Sequence, residues 1–302
     1  MTSTVLILGA SGRFGRNCAS AFRAAGWTVR HFDRSSCDLM ESAKGADVIV
    51  NGWNPSYPEW AEQVPVLTAN VIATAKASGA TVILPGNVYV YGEDAPETFG
   101  PRTPHQAQNP LGKIRIEMER QYCNADIQTI LLRAGDYLDT GKTGNWFDQI
   151  IAAKAAKGRF SYPGRLDAAH AWAFLPDLAR AAVQLAKMRS KLAVFEDIAF
   201  PGYTLSGQEL GEAVDRAMPN GVKIRRMSWL PLQLLSPFWA MAKGLLEMRY
   251  LWNKPHHLDG TRFRQLLPDF AATPLDEALQ AALQFQINPD QPMARTVTQQ
   301  LV

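Results

Sequence analysis

The amino-acid sequence predicts an α/β fold, in which a doubly wound parallel sheet is followed by a smaller, mainly helical domain. Short, continuous apolar segments alternate with helical patterns, and such segments are typical of parallel strands buried on both faces. After about residue 200, prolines recur and strand patterns become few. We therefore predict a first domain over residues 1–200, with substrate-facing segments around 136–172, and a second, substrate-binding domain over residues 201–302. The predicted strands are residues 4–8, 28–32, 47–50, 81–84 and 128–132.

The composition indicates a globular protein whose partner is a small molecule. Of the 302 residues, 47% are apolar and 20% are charged, which suffices for a core and is too apolar for a disordered chain. The 31 basic and 28 acidic residues leave a net charge of +3. There is no dense basic run of the kind that nucleic-acid binding requires, so we expect no nucleic-acid partner.

The cysteines and histidines show no metal-ligand spacing. Cys18, Cys37 and Cys123 are scattered, which predicts reduced thiols and a cytoplasmic location. None of the five histidines stands in a zinc-binding pattern, so we expect no metal. The first residues do not resemble a signal peptide, and no apolar stretch is long enough to span a bilayer, so we expect no membrane partner.

A glycine-rich turn follows the first predicted strand and precedes the first predicted helix. Its three glycines have the spacing GxxGxxG. The first glycine permits a tight turn, the second lets a pyrophosphate approach the backbone, and the third lets the helix pack closely on the sheet. The amides and dipole of the helix N-terminus then hold phosphates, so the turn predicts a Rossmann-type dinucleotide site. The predicted cofactor contacts in this turn are Gly9, Ser11, Gly12, Arg13, Phe14 and Gly15.

The choice of cofactor depends on the end of the second predicted strand. Asp33 stands there, and an acid at this place hydrogen-bonds the adenosine ribose and repels a 2′-phosphate. Arg34 and Arg13 could instead pair with the 2′-phosphate of NADP. We expect NAD, with NADP as the alternative. The loop after the third strand adds the predicted cofactor contacts Asn51, Gly52 and Trp53.

These residues resemble the extended short-chain dehydrogenases/reductases, the group that includes the NAD-dependent epimerase/dehydratase family. The glycine turn is similar to the cofactor turn of that family, and Asp33 is similar to its ribose-binding acid. The resemblance covers most of the chain and implies a Rossmann-type fold, a nicotinamide cofactor and a hydroxyl or carbonyl substrate. The further similar segments are residues 88–92, 130–133, 174–178, 258–262 and 273–278.

The catalytic residues that the resemblance implies are only partly present. In the family a tyrosine transfers the proton, a serine or threonine orients the substrate, and a lysine four residues after the tyrosine lowers its pKa. Lys113 is similar to that lysine, whereas the implied tyrosine and serine positions hold Asn109 and Asn87. An asparagine side chain does not titrate near neutral pH, so neither can act as a general acid or base. The chain is thus similar to atypical members, some of which are reductases and some non-enzymatic cofactor binders.

Two tyrosines are candidates for the missing proton chemistry. Tyr89 and Tyr91 follow the fourth predicted strand, at the carboxyl edge where ligands bind in open α/β sheets. Their spacing of two predicts side chains on one side of an extended segment, facing the nicotinamide. Aromatic packing beneath the loop is the alternative interpretation, and the sequence favours it. Lys113 is expected to contact the cofactor ribose.

Other polar and aromatic residues stand between the predicted domains. Arg165, His170 and Trp172 are the predicted substrate contacts, and a guanidinium there favours an anionic substrate. The aromatic segment 229–252 has three interpretations: the core of the second domain, a hydrophobic substrate pocket or lid, and a dimer or membrane-surface patch. We favour the core, because the low local charge argues against a membrane-bound basic helix.

The sequence leaves two functions open. The first is an NAD(P)-dependent oxidoreductase or epimerase/dehydratase-like enzyme acting on a small carbonyl or hydroxyl compound, sugar derivatives included. The second is a non-catalytic NAD(P)-binding sensor, which the absence of the serine and tyrosine favours. The predicted partners are a small-molecule substrate and a second copy of the chain in a homodimer.

Overall fold

Six parallel strands form the central sheet of the computed structural model, which describes residues 2–35 and 37–287. Numbered in chain order over the whole chain, they are β1 (Thr4–Leu8), β2 (Thr28–His31), β3 (Val48–Asn51), β4 (Thr81–Gly86), β6 (Thr129–Arg133) and β10 (Phe195–Ala199). Their order across the sheet is β10, β6, β4, β3, β1, β2, and every neighbouring pair is parallel. The predicted doubly wound parallel sheet is confirmed.

Helices cover both faces of this sheet. Leu6 and Leu8 of β1 contribute to one apolar core, whereas Val5 and Ile7 contribute to another. Because successive side chains of a strand point to opposite faces, the two cores lie on opposite sides of the sheet. This explains why the strands are continuous apolar segments in the sequence. The core with Val5 lies under α1 (Arg13–Ala24) and α5 (Leu175–Lys187), and the core with Leu6 lies under α2 (Leu39–Ala43), α3 (Trp60–Ser78) and α4 (Pro110–Cys123).

A third apolar core takes residues from before and after residue 200. Tyr162 and Trp172 pack there together with Leu210 and Leu279. The chain that follows β6 therefore shares its core with the C-terminal part. The remaining elements are β5 (Thr98–Phe99), β7 (Asp136–Leu138), β8 (Arg159–Tyr162), β9 (Ala169–Phe174), β11 (Tyr203–Ser206), α6 (Gly207–Ala217), β12 (Lys223–Arg226), α7 (Leu230–Leu235), α8 (Ala240–Glu247), β13 (His257–Leu258), α9 (Thr261–Leu266) and α10 (Leu275–Ile287).

Three small sheets join these elements. The strand orders are β11, β9, β7 in one sheet, with β12 beside β8 and β13 beside β5 in the other two. The C-terminal part thus contains strands as well as the predicted helices. Residues 288–302 of the predicted second domain lie outside the described residues.

The aromatic segment 229–252 is only partly core. Trp229 and Trp252 are buried in the third core, as predicted. Phe238, however, is 92% exposed, so the prediction that the whole segment is core is wrong. Within the described part of the chain, no helix combines the length and the apolarity needed to cross a bilayer.

Candidate active site

A cleft of about 1590 Å³ opens at the carboxyl ends of the parallel strands. Ligands of open α/β sheets bind at this edge, because the loops that follow the strands meet there. Each of five strands of the central sheet contributes lining residues directly after its end. They include Gly9 after β1, Asp33 after β2, Gly52 after β3, Asn87 after β4 and Asp136 after β6.

The glycine turn brings three backbone segments into contact. A Cβ atom on Gly15 would lie 2.2 Å from the carbonyl oxygen of Gly9, and one on Gly52 would lie 2.8 Å from that of Leu8. Gly9 itself has a φ of 69°, in the left-handed region that favours glycine. No side chain at these places fits, so the helix α1 starts directly against the sheet.

The N-terminus of α1 faces the cleft. Gly12 is its N-cap, and no side chain caps the first turn. Gly12, Arg13 and Phe14 all line the cleft, together with Ser11 from the turn. Uncapped amides and a helix dipole form an anion site, so the predicted phosphate contacts are brought together here.

Arg13 holds a loop at the side of the cleft. Its guanidinium donates to the carbonyl oxygens of Thr143 (2.9 Å) and Gly144 (2.7 Å). The carboxylate of Asp148 accepts from the amides of the same two residues, at 2.6 and 3.1 Å. Arg13 therefore lines the cleft as predicted, but its charge is engaged by the loop.

The predicted adenine end is assembled from two loops. The carboxylate of Asp33 accepts from the amide and hydroxyl of Ser35, at 2.9 and 2.7 Å. The guanidinium of Arg34 lies 5.6 Å from the ring centroid of Trp53. Asn51 accepts from the amide of Trp53 at 3.2 Å, which shapes the loop after β3. The predicted residues of this end are thus neighbours in space.

The opposite end of the cleft carries a pair of tyrosines. The hydroxyls of Tyr57 and Tyr89 lie 2.5 Å apart. Burial raises the pKa of Tyr57 to about 12 and that of Tyr89 well above its usual range. Both hydroxyls are therefore protonated near neutral pH and suit hydrogen bonding rather than proton removal. Tyr57 was not identified from the sequence, since it stands in a loop without a motif.

Asp136 is an acid at this end that the sequence motifs did not mark as a site residue. Its side chain is 27% exposed and lines the cleft, and one carboxylate oxygen lies 2.7 Å from Nε2 of His170. His170, a predicted substrate contact, is only 2% exposed and lies behind Asp136 rather than in the cleft. Its ring stacks on Trp252 at 4.4 Å, which fixes the imidazole plane.

Buried polar atoms surround this pair. His170 Nδ1, Trp172 Nε1, Tyr162 Oη and His256 Nε2 have no hydrogen-bond partner among the described residues. Burial lowers the pKa of His256 well below its usual range, so this ring is neutral near pH 7. Trp172, the third predicted substrate contact, is fully buried here. These buried polar atoms therefore lie on the side of Asp136 that faces the protein interior.

The structure does not bring Lys113 and Asn109 to the cleft. Lys113 is exposed on α4, whereas Arg115 lines the cleft from the same helix. Arg115 lies 4.1 Å from the ring centroid of Trp60 and donates to Asn54 at 2.5 Å. The amide nitrogen of Asn109 donates to the carboxylate of Glu247 at 2.7 Å, so Asn109 holds the start of α4.

The structure places three other predicted site residues in different environments. Tyr91 is fully buried, with its ring stacked on Phe99 at 4.3 Å, so the prediction that it shares a side with Tyr89 is wrong. The chain turns at residues 88–91 instead of staying extended. Asn87 lines the cleft and accepts from the amide of Tyr89 at 3.0 Å. Arg165 is exposed and paired with Asp167 at 2.6 Å, outside the cleft lining.

One group of potential metal ligands lies away from the cleft. His105, Glu119 and Asp197 place ligand atoms within 4.8 Å of one another. Arg133 already bonds both carboxylates, at 2.8 Å and 2.7 Å. A fully buried guanidinium pairs with both acids there, so these side chains form an ion-pair network of the fold.

The same architecture occurs in solved structures over nearly the whole chain. MoeE5 in complex with UDP-glucose and NAD is 16% identical with a TM-score of 0.72, and covers 94% of this chain and 98% of its own. A nucleoside-diphosphate-sugar epimerase from Pseudomonas aeruginosa is 16% identical with a TM-score of 0.69, covering 94% and 97%. L-threonine dehydrogenase from Phytophthora infestans is 17% identical with a TM-score of 0.71, covering 93% and 98%.

These comparisons establish the fold. No protein-family model and no curated protein matches the sequence. The structural likeness shows that this chain shares its fold with solved structures of an epimerase and a dehydrogenase. Because one fold carries many functions, the reaction must be argued from the cleft itself.

Proposed function

We propose that this chain is an NAD(H)-dependent oxidoreductase or epimerase-type enzyme that acts on a small polar hydroxyl or carbonyl compound, sugar derivatives included. The contact of Gly9, Gly15 and Gly52 at the mouth of the cleft carries the proposal. It lets α1 start directly against the sheet, so that its uncapped amides face the cleft where a pyrophosphate would bind.

NAD fits the adenine end better than NADP. Asp33 supplies an acid for the ribose hydroxyls, and both nearby arginines are engaged. Arg13 holds the carbonyls of its loop, and Arg34 lies against Trp53. A 2′-phosphate would have to compete for both. When bound, NAD supplies hydride acceptance, or NADH hydride donation, at the end of the cleft where Tyr89 and Asp136 lie.

Asp136 is the proposed proton-transfer residue. Its side chain lines the cleft, and one of its carboxylate oxygens accepts a hydrogen bond from the His170 imidazole. When the carbon that bears the substrate hydroxyl gives up its hydride, the hydroxyl would transfer its proton to the Asp136 carboxylate, and the reverse step would return it. Tyr57 and Tyr89 are held protonated by burial, and one hydroxyl of the pair donates to the other. In this proposal Tyr57 donates to Tyr89, whose own proton is then donated to the substrate oxygen.

Arg115 is the proposed counterpart of the family's lysine. It stands four residues after Leu111, and both side chains are buried on the inner side of α4. Leucine occupies the place of the implied tyrosine in this register, so proton transfer has to come from another residue. That observation favours the second candidate function, a non-catalytic NAD(H) sensor, if Asp136 proves dispensable.

A homodimer and a cytoplasmic location remain predictions. The scattered positions of the three cysteines support a reducing compartment. No contact among the described residues specifies a second copy.

Calorimetric titration with NAD⁺, NADH, NADP⁺ and NADPH tests the proposal. We expect NAD(H) to bind more tightly than NADP(H), and Asp33→Ala to weaken NAD(H) binding by about tenfold, as expected for loss of one charge-assisted hydrogen bond. Asp94→Ala, which removes an exposed acid outside the cleft, is the matched control. Failure of all four dinucleotides to bind would refute the proposal.

A further inference from the structure

One short segment concentrates the exposed apolar side chains of the C-terminal part. Residues 227–242, here called the apolar segment, contain no charged residue. Seven large apolar side chains are exposed among the described residues, and four of them lie in the apolar segment. The remaining three, Met40, Val66 and Val194, are scattered over the rest of the chain. The four in the segment are Leu230 (58%), Leu234 (68%), Leu235 (49%) and Phe238 (92%).

The two ends of the apolar segment are anchored. Trp229 is buried and its indole nitrogen donates to the carbonyl of Pro163 at 2.5 Å. Met241 and Ala242 are buried at the other end. Between them, α7 buries none of its residues. The buried residues at both ends therefore fix the position of the segment, while its four exposed apolar side chains remain in contact with water. No contact within the described chain explains their exposure.

The chain around the apolar segment is strongly basic. Residues 216–246 contain five cations and no acid, which exceeds the net charge of the whole chain. Arg216 has Asp276 at 3.9 Å. Among the described residues, none of the other four cations forms a salt bridge, and all four are exposed. They are Lys223, Arg225, Arg226 and Lys243, which flank the apolar segment on both sides.

We propose that the apolar segment docks on the surface of an anionic phospholipid bilayer. Leu234, Leu235 and Phe238 enter the boundary between headgroups and acyl chains, and the flanking cations meet the lipid phosphates. This combination of exposed apolar side chains and unpaired cations is what an interfacial contact requires. The protein lies on the membrane and does not cross it.

A second copy of the chain fits this surface less well. A two-fold contact would place the same five cations of each copy near those of the other, and like charges at an interface are unfavourable. An anionic lipid surface offers the opposite charge. The docking therefore departs from the prediction of no membrane partner, which rested on spanning length and on low charge within the aromatic segment alone.

Docking there would affect access to the cleft. The helix α8 begins within the apolar segment, and its Met241 and Leu245 line the cleft. A bilayer held against α7 would therefore lie close to one wall of the cleft. This consequence does not depend on the reaction, so the docking stands or falls separately from the proposed function.

Vesicle flotation of the full chain tests the docking. We expect the protein to float with phosphatidylcholine/phosphatidylglycerol vesicles, more weakly with phosphatidylcholine alone, and less at high salt. The double variant Leu234→Ser/Phe238→Ser should lower the partition coefficient by roughly tenfold or more, since burial of one such side chain contributes that much. Arg225→Ser/Arg226→Ser should reduce the preference for the anionic lipid, because two of the four exposed cations are removed.

Matched variants control for exposure and charge. Val66→Ser/Val194→Ser removes two exposed apolar side chains elsewhere (56% and 55%), and Lys76→Ser/Lys187→Ser removes two exposed cations elsewhere. Both should float like the parent, and all variants should keep its circular dichroism and NADH affinity. A parent that stays unbound with either vesicle, or flotation that survives Leu234→Ser/Phe238→Ser, would overturn the proposal. So would a dimer in light scattering that this double variant dissociates.

Discussion

Asp136 combines access to the cleft with a rigid partner behind it. The His170 imidazole lies 2.7 Å from one carboxylate oxygen and is itself fixed by stacking on Trp252. A carboxylate whose second oxygen is held in this way presents its first oxygen in one orientation. Proximity and orientation are what a proton-transfer group needs in addition to a suitable pKa.

Asp136→Asn is expected to remove proton transfer while keeping the shape of the cleft. We expect kcat to fall by about 100-fold or more, the range that general acid–base groups contribute. The affinity for NADH should stay within about twofold, because Asp136 lies away from the phosphate and adenine contacts. Steady-state kinetics with a panel of aldehydes, ketones and sugars, together with NADH titration, measures both.

Tyr89→Phe is the control for this substitution. It removes one hydrogen bond to the substrate but no group that titrates near neutral pH, so its loss of kcat should be much smaller. Equal losses for Tyr89→Phe and Asp136→Asn would contradict the assignment of the proton to Asp136. Turnover by Asp136→Asn at the rate of the parent would do so more directly.

The sequence predicted the phosphate end of the cleft better than the opposite end, and the reason is physical. Gly9, Gly12 and Gly15 act through their own backbone over a few residues, so their spacing alone predicts the phosphate site. The opposite end joins Tyr57, Tyr89 and Asp136, which come from loops after three different strands. Their proximity depends on the order of the strands in the sheet, which no local pattern records.

At the scale of single elements, α4 shows how helical phase decides which side chain reaches the cleft. Lys113 and Arg115 are two residues apart, which is more than half a turn of an α-helix. The buried positions of α4 include Leu111, Arg115, Met118 and Tyr122, spaced by three or four residues. Residue chemistry alone selects Lys113, whereas this apolar stripe places Arg115 on the inner side.

Substitutions on the two faces of α4 should therefore differ. We expect Arg115→Ala to weaken NADH binding by about tenfold, because it removes a buried cation that bonds Asn54 and orders the loop beside the cleft. Lys113→Ala should change the affinity by less than about twofold, since surface charges away from the ligand contribute little. Calorimetric titration of NADH into both variants, after a check of their melting temperatures, decides between the faces. A larger loss of NADH affinity in Lys113→Ala than in Arg115→Ala would instead assign the cofactor contact to Lys113.

At the scale of the whole molecule, the sheet was predictable and the third core was not. Strands such as β1 and β3 are apolar throughout because both faces are covered, and the sequence carries that signal directly. The third core joins Tyr162 and Trp172 to Leu210 and Leu279, across a long stretch of chain. The recurring prolines and the scarcity of strand patterns after about residue 200 therefore mark a change in composition rather than the edge of a core.

This core makes a prediction for the fragment of residues 1–200. We expect it not to unfold cooperatively, because β9 loses its antiparallel partner β11 and Trp172 loses the cover of α6 and α10. Several large apolar side chains would then face water, which favours aggregation or a loosely packed state. Thermal unfolding followed by circular dichroism, with binding of a hydrophobic dye as a second readout, compares the fragment with the full chain. A sharp transition and no dye binding would instead show that residues 1–200 fold as an independent domain.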